Sequence, residues 1–354
     1  MKTGSLRIKQ AERRLNRLDP LPDLDNANVG IYRHEEFRRI CQFGISAFWR
    51  FMTESGGAAR RQQTINPAVV RLYDQIKGGN EMFGNCLDNV RKNVPLVHNI
   101  TNYVTVNDVA NVLLACGGSP IMSDDPRDVV DITSICGGLN INIGTLNERS
   151  IAGMFAAGKR ANELDHVVLL DPVGAGASAL RTDTAVQIMD EIELTAIRGN
   201  ISEIKTLALG SGTTKGVDAD VADAVTEENL TEAVAFVKEF AQKAGCIVAI
   251  TGAIDLVSDG ETCYVIRNGR PEMGRITGTG CQLSGMMTAF LVANPDNQTE
   301  AAAAAVCAMG LAGEIGWSRM REGDGNATYR NRIIDAIYNM DGAALDAGAR
   351  YEIR

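Results

Sequence analysis

From about residue 85 onward, short apolar runs alternate with longer stretches whose apolar positions recur at helical spacing. The runs are 94–98 (VPLVH), 119–122 (SPIM), 139–144 (LNINIG), 166–172 (HVVLLDP), 194–200 (LTAIRGN), 246–252 (CIVAITG) and 262–267 (TCYVIR). Runs this short and this apolar read as strands buried on both faces. Between them, Val109, Val112, Leu113 and Cys116 repeat at three and four residues, as do Leu283, Met286, Met287, Phe290 and Leu291. Alternating strands and amphipathic helices predict an α/β fold: a mostly parallel central sheet flanked by helices. Residues 301–316 (AAAAAVCAMGLAGEIG) look like low complexity, but Val306, Met309, Leu311 and Ile315 interrupt the alanines. The spacing predicts a tightly packed helix there.

Open parallel sheets bind ligands beyond the carboxyl ends of their strands. Polar residues gather at those ends: Asn102, Asp171, Arg198 with Asn200 and Glu203, Thr251, and the GTGC that opens the segment RITGTGCQLSG (275–285). Each has a plain structural alternative. Asp171 before Pro172 suits a turn, and Glu203 suits the first turn of a helix, where an acid complements the dipole. Their joint occurrence at strand ends favours a site.

The glycine loops narrow the chemistry. In 167–179 (VVLLDPVGAGASA), Gly174, Gly176 and Ala179 fit G-x-G-x-x-A, but Pro172 separates the run from the first glycine. A dinucleotide fingerprint turns directly from strand to helix, which counts against a nicotinamide reading. No G-x-x-x-x-G-K-[ST] is present, and GSGTTKG (210–216) has the wrong spacing. Gly278, Thr279 and Gly280, running into an apolar-periodic segment, predict a helix N-terminus whose N–H groups cradle an anion. Cys281 stands at that helix mouth.

Composition adds exclusions. With 354 residues, 45% hydrophobic and 22% charged, the chain is an ordinary globular sequence. Its net charge of −9 argues against general nucleic-acid binding. No run of about 18 apolar residues is present, so no membrane span is implied. The eight cysteines form no CxxC pair and suit reduced thiols in a cytoplasmic protein. The three histidines, at 34, 98 and 166, lie in no recognisable motif.

Charge also marks a seam. Residues 1–80 hold 14 Lys/Arg and 8 Asp/Glu, a net of +6, and the rest holds 21 against 36, a net of −15. The first part is expected to be a poorly ordered basic extension, with 81–354 forming the catalytic domain. Its Arg-rich first 18 residues superficially suit a transit peptide, although Asp19, Asp23 and Asp25 follow at once. The preferred expectation is that Met82 is the natural start.

The motifs PLVHNITNYV (95–104), GGSPIM (117–122), LNINIGTL (139–146), LLDPVGAGAS (169–178), AIRGNISEI (196–204), AITG (249–252) and ITGTGC (276–281) occur in order. Together they closely resemble the hydroxyethylthiazole kinase family, ribokinase-like enzymes of thiamine salvage. The resemblance implies a ribokinase-like three-layer sandwich and ATP-dependent phosphorylation of 4-methyl-5-(2-hydroxyethyl)thiazole. It implies ATP contacts at Arg198 and Thr251, and thiazole contacts at Met122 and Gly278, with Asn102 and Val104 as neighbours. Asp171 and Glu203 resemble the acids near Mg2+ and the triphosphate. The family further implies a homotrimer with active sites between subunits.

Related sugar and vitamin kinases carry an aspartate, the presumed base, at the position of Cys281. A covalent thiol intermediate would need an activating histidine, and a metal role would need partner ligands at suitable spacing; neither accompanies Cys281. A base or hydroxyl-orienting group is the first reading, and a small buried residue at the helix approach is the second. The helix N-terminus leads one to expect a partly ionised thiol. Kinases for hydroxymethylpyrimidine, ATP-dependent hydrate dehydratases and non-catalytic nucleotide modules are the competing functions.

Overall fold

The computed structural model describes residues 82–209 and 224–354. The expectations for residues 1–80 and for GSGTTKG fall outside these residues.

Six strands form the parallel body of the sheet: β1 (Leu96–Ile100), β2 (Ser119–Met122), β3 (Gly138–Asn142), β4 (Val167–Asp171), β5 (Ala196–Asn200) and β6 (Ile247–Thr251). Three antiparallel strands extend it: β7 (Asp255–Ser258), β8 (Cys263–Ile266) and β9 (Tyr351–Ile353). The order across the sheet is β2-β1-β3-β4-β5-β6-β7-β8-β9. All seven apolar runs became strands. β7 and β9 carry no comparable run: β7 has four residues just past a glycine turn, and β9 is a three-residue edge strand held by Cys263–Arg354 backbone bonds of 2.8 and 2.9 Å.

One face of the sheet carries α1 (Met82–Asn93), α2 (Val106–Cys116), α8 (Thr279–Ala293), α9 (Gln298–Ser318), α10 (Asn326–Asn339) and α11 (Gly342–Gly348). The other face carries α3 (Val129–Ile135), α4 (Glu148–Glu163), α5 (Ala179–Glu191), α6 (Ile201–Leu209) and α7 (Leu230–Ala244). A core fills each side, so the architecture is three layers. Local chemistry sets several helix starts. Asn147 opens α4 with a reciprocal capping box to Ser150, and Ser178 accepts the Arg181 N–H at the start of α5.

Strand parity decides what each layer sees. Side chains alternate faces along a strand, so Val168 and Leu170 of β4 enter the α4–α7 core while Val167 and Leu169 enter the α8 core. Asn142, Asp171, Arg198 and Thr251 fall on the α8 face by the same alternation.

The periodicity of α8 predicted one apolar stripe. Instead Gln282, Ser284, Gly285 and Thr288 are buried along with Leu283, Met286 and Phe290. The reason is position: α8 lies on the middle of the sheet, against β1, β3 and β4, with α1, α2 and α9 packed around it. Its small residues allow the close approach. A Cβ on Gly285 would come within 2.8 Å of Val109 and 3.4 Å of Asn99 Oδ1. Fully buried Phe290 anchors the helix, and truncating such a ring to alanine costs about 3–5 kcal/mol. α9 is long and apolar enough to cross a membrane, but 72% of that stretch is buried inside the fold.

Candidate active site

The α8 mouth, the carboxyl ends of β3–β6 and the loop after β1 converge on one place. Gly278 precedes α8 with φ +84, a left-handed conformation natural to glycine, and a Cβ there would collide with Thr105. The first intrahelical bond runs from the Gln282 N–H to the Gly278 carbonyl at 2.9 Å. The N–H groups of Thr279, Gly280 and Cys281 therefore have no acceptor within the helix.

Arg198 lies directly against this mouth, because a Cβ on Gly280 would meet its guanidinium. The same guanidinium donates to Thr251 Oγ1, and its Nη1 stands 3.7 Å from Asp171 Oδ1. A cation packed at the positive end of a helix dipole is unfavourable unless an anion binds between them. Beside the Asp171 carboxylate, this arrangement is able to receive an anion at the helix mouth.

A cleft of about 680 Å³ opens from this point. Arg198, Thr251 and Gly280 line its polar end, and Leu283, Val306 and Met309 line its apolar part. That volume and polarity suit a nucleotide, with phosphates at one end and the base at the other. A second hollow, of about 760 Å³, is lined by Glu193, Leu194 and Gly245, just ahead of β5 and β6. It holds none of the strand-end polar groups, and ligands of such sheets bind at the opposite, carboxyl ends.

Asp171 is fully buried. Burial pushes its carboxyl up to about 6, against the pull of Arg198, with Glu203 adding to the rise. Its Oδ2 accepts from Asn142 Nδ2 at 2.7 Å and Ser284 Oγ at 2.8 Å. Its Oδ1 has no hydrogen-bond partner. Glu203 serves local structure as well: its Oε2 accepts the Asn200 N–H while Asn200 Oδ1 accepts the Glu203 N–H, both at 2.8 Å. Its Oε1 accepts the Gly174 N–H at 2.8 Å, clasping the glycine turn after β4 to the start of α6.

Cys281 is buried, and its Sγ accepts from Asn102 Nδ2 and Asn142 Nδ2, each at 3.2 Å. The expected partial ionisation is reversed. Burial raises the thiol above its ordinary value, the charge of Asp171 raises it further, and Asn142 and Arg198 only oppose this. A helix N-terminus lowers a thiol only when solvation is kept, and here it is lost.

On the substrate side, Met122 ends β2 and is half-buried, while Val104 is 66% exposed. Asn102 is buried and engaged throughout: Oδ1 accepts the N–H groups of Val104 and Thr105 and the Thr105 hydroxyl, each at 3.1 Å. It shapes the loop and holds Cys281.

Sequence reasoning missed Asn142, Ser284 and Asp255. The signal for Asn142 was present as two asparagines two apart, Asn140 and Asn142, inside a buried strand. Asp255 opens β7, lines the cleft and accepts the Gly252 N–H at 2.8 Å. Burial pushes its carboxyl up to about 7, opposed by that N–H and by Arg198.

Magnesium takes oxygen ligands, keeps several waters and commonly binds through one or two carboxylates plus substrate phosphates. Among the described residues no three metal-type side chains gather. The unpartnered Asp171 Oδ1 and the nearby Glu203 carboxylate fit a hard cation that arrives with a nucleotide.

The hydroxyethylthiazole kinase family profile matches residues 87–342. A hydroxyethylthiazole kinase of Clostridium acetobutylicum is 59% identical over 266 residues, covering 75% of this chain and 97% of that protein. One from Clostridium beijerinckii is 48% identical over 257 residues, covering 73% and 92%. The solved hydroxyethylthiazole kinase structure from Pyrococcus horikoshii OT3 aligns with a TM-score of 0.67 at 31% identity, over 77% of this chain and 98% of that one. A pyridoxal kinase from Staphylococcus aureus, solved with ADP, aligns at TM-score 0.50 and 15% identity over 73% and 97%, a likeness of fold alone. The fold is the ribokinase-like sandwich, and the chain belongs to the hydroxyethylthiazole kinase family.

Proposed function

We propose that this enzyme transfers the γ-phosphoryl group of ATP to the primary alcohol of 4-methyl-5-(2-hydroxyethyl)thiazole, giving the monophosphate used in thiamine diphosphate salvage. The observation that carries the reading is the convergence of Arg198, Thr251 and the α8 N-terminus on one cleft beside Cys281. Family membership supplies the substrate.

Phosphoryl transfer depends on positioning and charge neutralisation. The hydroxyl oxygen bonds to the γ-phosphorus as the bond to the β–γ bridging oxygen breaks, and ADP leaves. The N–H groups of Thr279, Gly280 and Cys281, with Arg198, hold the phosphoryl oxygens. Cys281 orients the hydroxyl by accepting its hydrogen bond at Sγ, and the proton passes late to a phosphoryl oxygen, when the hydroxyl oxygen has already grown acidic. The raised thiol fits this: Sγ acts as a local acceptor, not as a standing thiolate. Asp171 and Glu203 would hold Mg2+ through water, and the cation would supply charge neutralisation to the phosphates. Met122, Val104 and Gly278 border the thiazole, and Asn102 keeps that border in shape.

The assembly in this reading is a homotrimer with sites between subunits. Tyr103 and Val104, 60% and 66% exposed beside the substrate loop, support it, since a neighbouring subunit would cover them. Residues 81–354 form the catalytic unit and 1–80 an appendage, consistent with the extent of the family match. A cytoplasmic location agrees with the described cysteines, none of which forms a disulfide.

The test is ATP consumption across a panel of small alcohols. Hydroxyethylthiazole should give the highest kcat/KM. Preference for hydroxymethylpyrimidine, or ATP turnover that no alcohol stimulates, would sink the reading. Light scattering should give three times the subunit mass.

A further inference from the structure

Asn142 is the last residue of β3, stands in register opposite Asp171 of β4, and is 1% exposed. Every hydrogen-bonding position on its amide is used. Nδ2 donates to Cys281 Sγ at 3.2 Å and to Asp171 Oδ2 at 2.7 Å. Oδ1 accepts from Asn102 Nδ2 and from the Gly144 N–H, each at 3.0 Å.

We propose that Asn142 is a positioning residue for phosphoryl transfer, its one NH2 group fixing the Cys281 sulfur and the Asp171 carboxylate relative to each other. The proposal rests on the reading of Cys281 as the group that meets the substrate hydroxyl.

The residue type follows from the demand. Two acceptors, a sulfur and a carboxylate oxygen, must be held from one point in a buried strand. A primary amide is the compact neutral group with two donors on one atom. A hydroxyl has one donor, and a carboxylate has none when ionised. Asn102 supplies the second N–H to Sγ, so the sulfur is held by two amides. Ser284 supplies the second donor to Asp171 Oδ2, so the carboxylate plane is set from both sides. Its Oδ1 is thereby presented to Arg198. Asn142 alone belongs to both pairs. Losing it leaves the sulfur to Asn102 alone and the carboxylate to Ser284 alone, while Arg198, Thr251 and the helix mouth still face the nucleotide cleft.

The experiment is a double-mutant cycle on the full-length enzyme, with Asn142→Asp and Asn142→Leu each made in the parent and in Cys281→Ala. Asn142→Leu removes both donors, whereas Asn142→Asp keeps the Oδ1 acceptor and sets a second carboxyl against Asp171, where a shared proton restores at most one donor. In the parent background each change should lower kcat by about tenfold to a hundredfold, the scale of hydrogen bonds to charged groups. KM for ATP should stay within about threefold. In Cys281→Ala the same changes should cost clearly less than in the parent, leaving only the share that acts through Asp171. An equal factor in both backgrounds, or no fall in the parent, overturns the proposal. Full activity of Cys281→Ala alone instead sinks the reading of Cys281, and the positioning role with it.

Should both Asn142 variants fail to fold, Cys281→Asp leaves Asn142 and Asn102 in place. The two amide donors then serve a carboxylate, and at least about a tenth of the parent kcat should remain. A folded, ATP-binding but inactive Cys281→Asp enzyme overturns the proposal.

Discussion

Strand β3 has two faces with opposite lives. Leu139 and Ile141 enter the α4–α7 core and are fully buried among apolar neighbours. Asn140 and Asn142 point under α8, equally buried but among polar groups. In the proposed reading, the same five-residue strand serves stability on one side and chemistry on the other. Unpaired burial of an amide costs free energy; Asn142 is satisfied at every position, whereas Asn140 Oδ1 and the Gln282 amide of α8 have no hydrogen-bond partner. Asn142, Asp171, Ser284 and Cys281 form a network, and it ends at the α8 mouth.

The largest effect that separates the faces is Arg198→Ala. Removing the cation from the proposed phosphate site should lower kcat/KM about 10²–10³-fold with little change in thermal stability. A stable variant with near-parental turnover would mean that phosphates bind elsewhere. The mirror experiment is Ile141→Ala on the far face. It should cost about 2–5 kcal/mol of stability, read by denaturant unfolding. Below the melting range, kcat should remain within about twofold of the parent, since Ile141 touches none of the reacting groups.

A smaller effect concerns the cleft wall. The Asp255 carboxyl is raised to about 7 by burial, well above its unfolded value. The folded state therefore binds the proton more tightly, and stability falls as pH rises from about 4 to about 7. Asp255→Asn keeps an acceptor for the Gly252 N–H and removes that slope. At pH 8 it should melt a few degrees higher than the parent, about 2–4 °C for each kcal/mol recovered. An unchanged or lower melting temperature at pH 8 would show that the charged form is well solvated.

The smallest effect is expected from deleting residues 1–80. If they are an appendage, kcat/KM should stay within about twofold and the truncated protein should remain soluble. Aggregation would show that this part belongs to the catalytic unit.

Much of this contrast was legible in the sequence. The seven apolar runs located the strands correctly, because fully buried strands need uninterrupted hydrophobicity. Asp171, Arg198 and Thr251 stood out only jointly, as polar residues closing several such runs, since each alone has a plain structural reading. The interrupted alanine stretch correctly gave a core helix, seen as α9. β7 and β9 escaped because their pairing is set by the turn after β6 and by the Cys263–Arg354 edge bonds, not by local pattern. Asn142 escaped because a single amide in a strand has no local meaning. Its role exists only once β3, β4 and α8 place Asp171 and Cys281 around it. The thiol was misjudged for a related reason: the helix dipole is visible in sequence, but the depth of burial that outweighs it is not.

The central claim is that the α8 mouth directs ATP onto the hydroxyl of hydroxyethylthiazole. Mass spectrometry of the products from ATP, Mg2+ and hydroxyethylthiazole tests it most directly. The account predicts the thiazole monophosphate and ADP in equal amounts. ADP with unmodified thiazole, or no ADP at all, would contradict it.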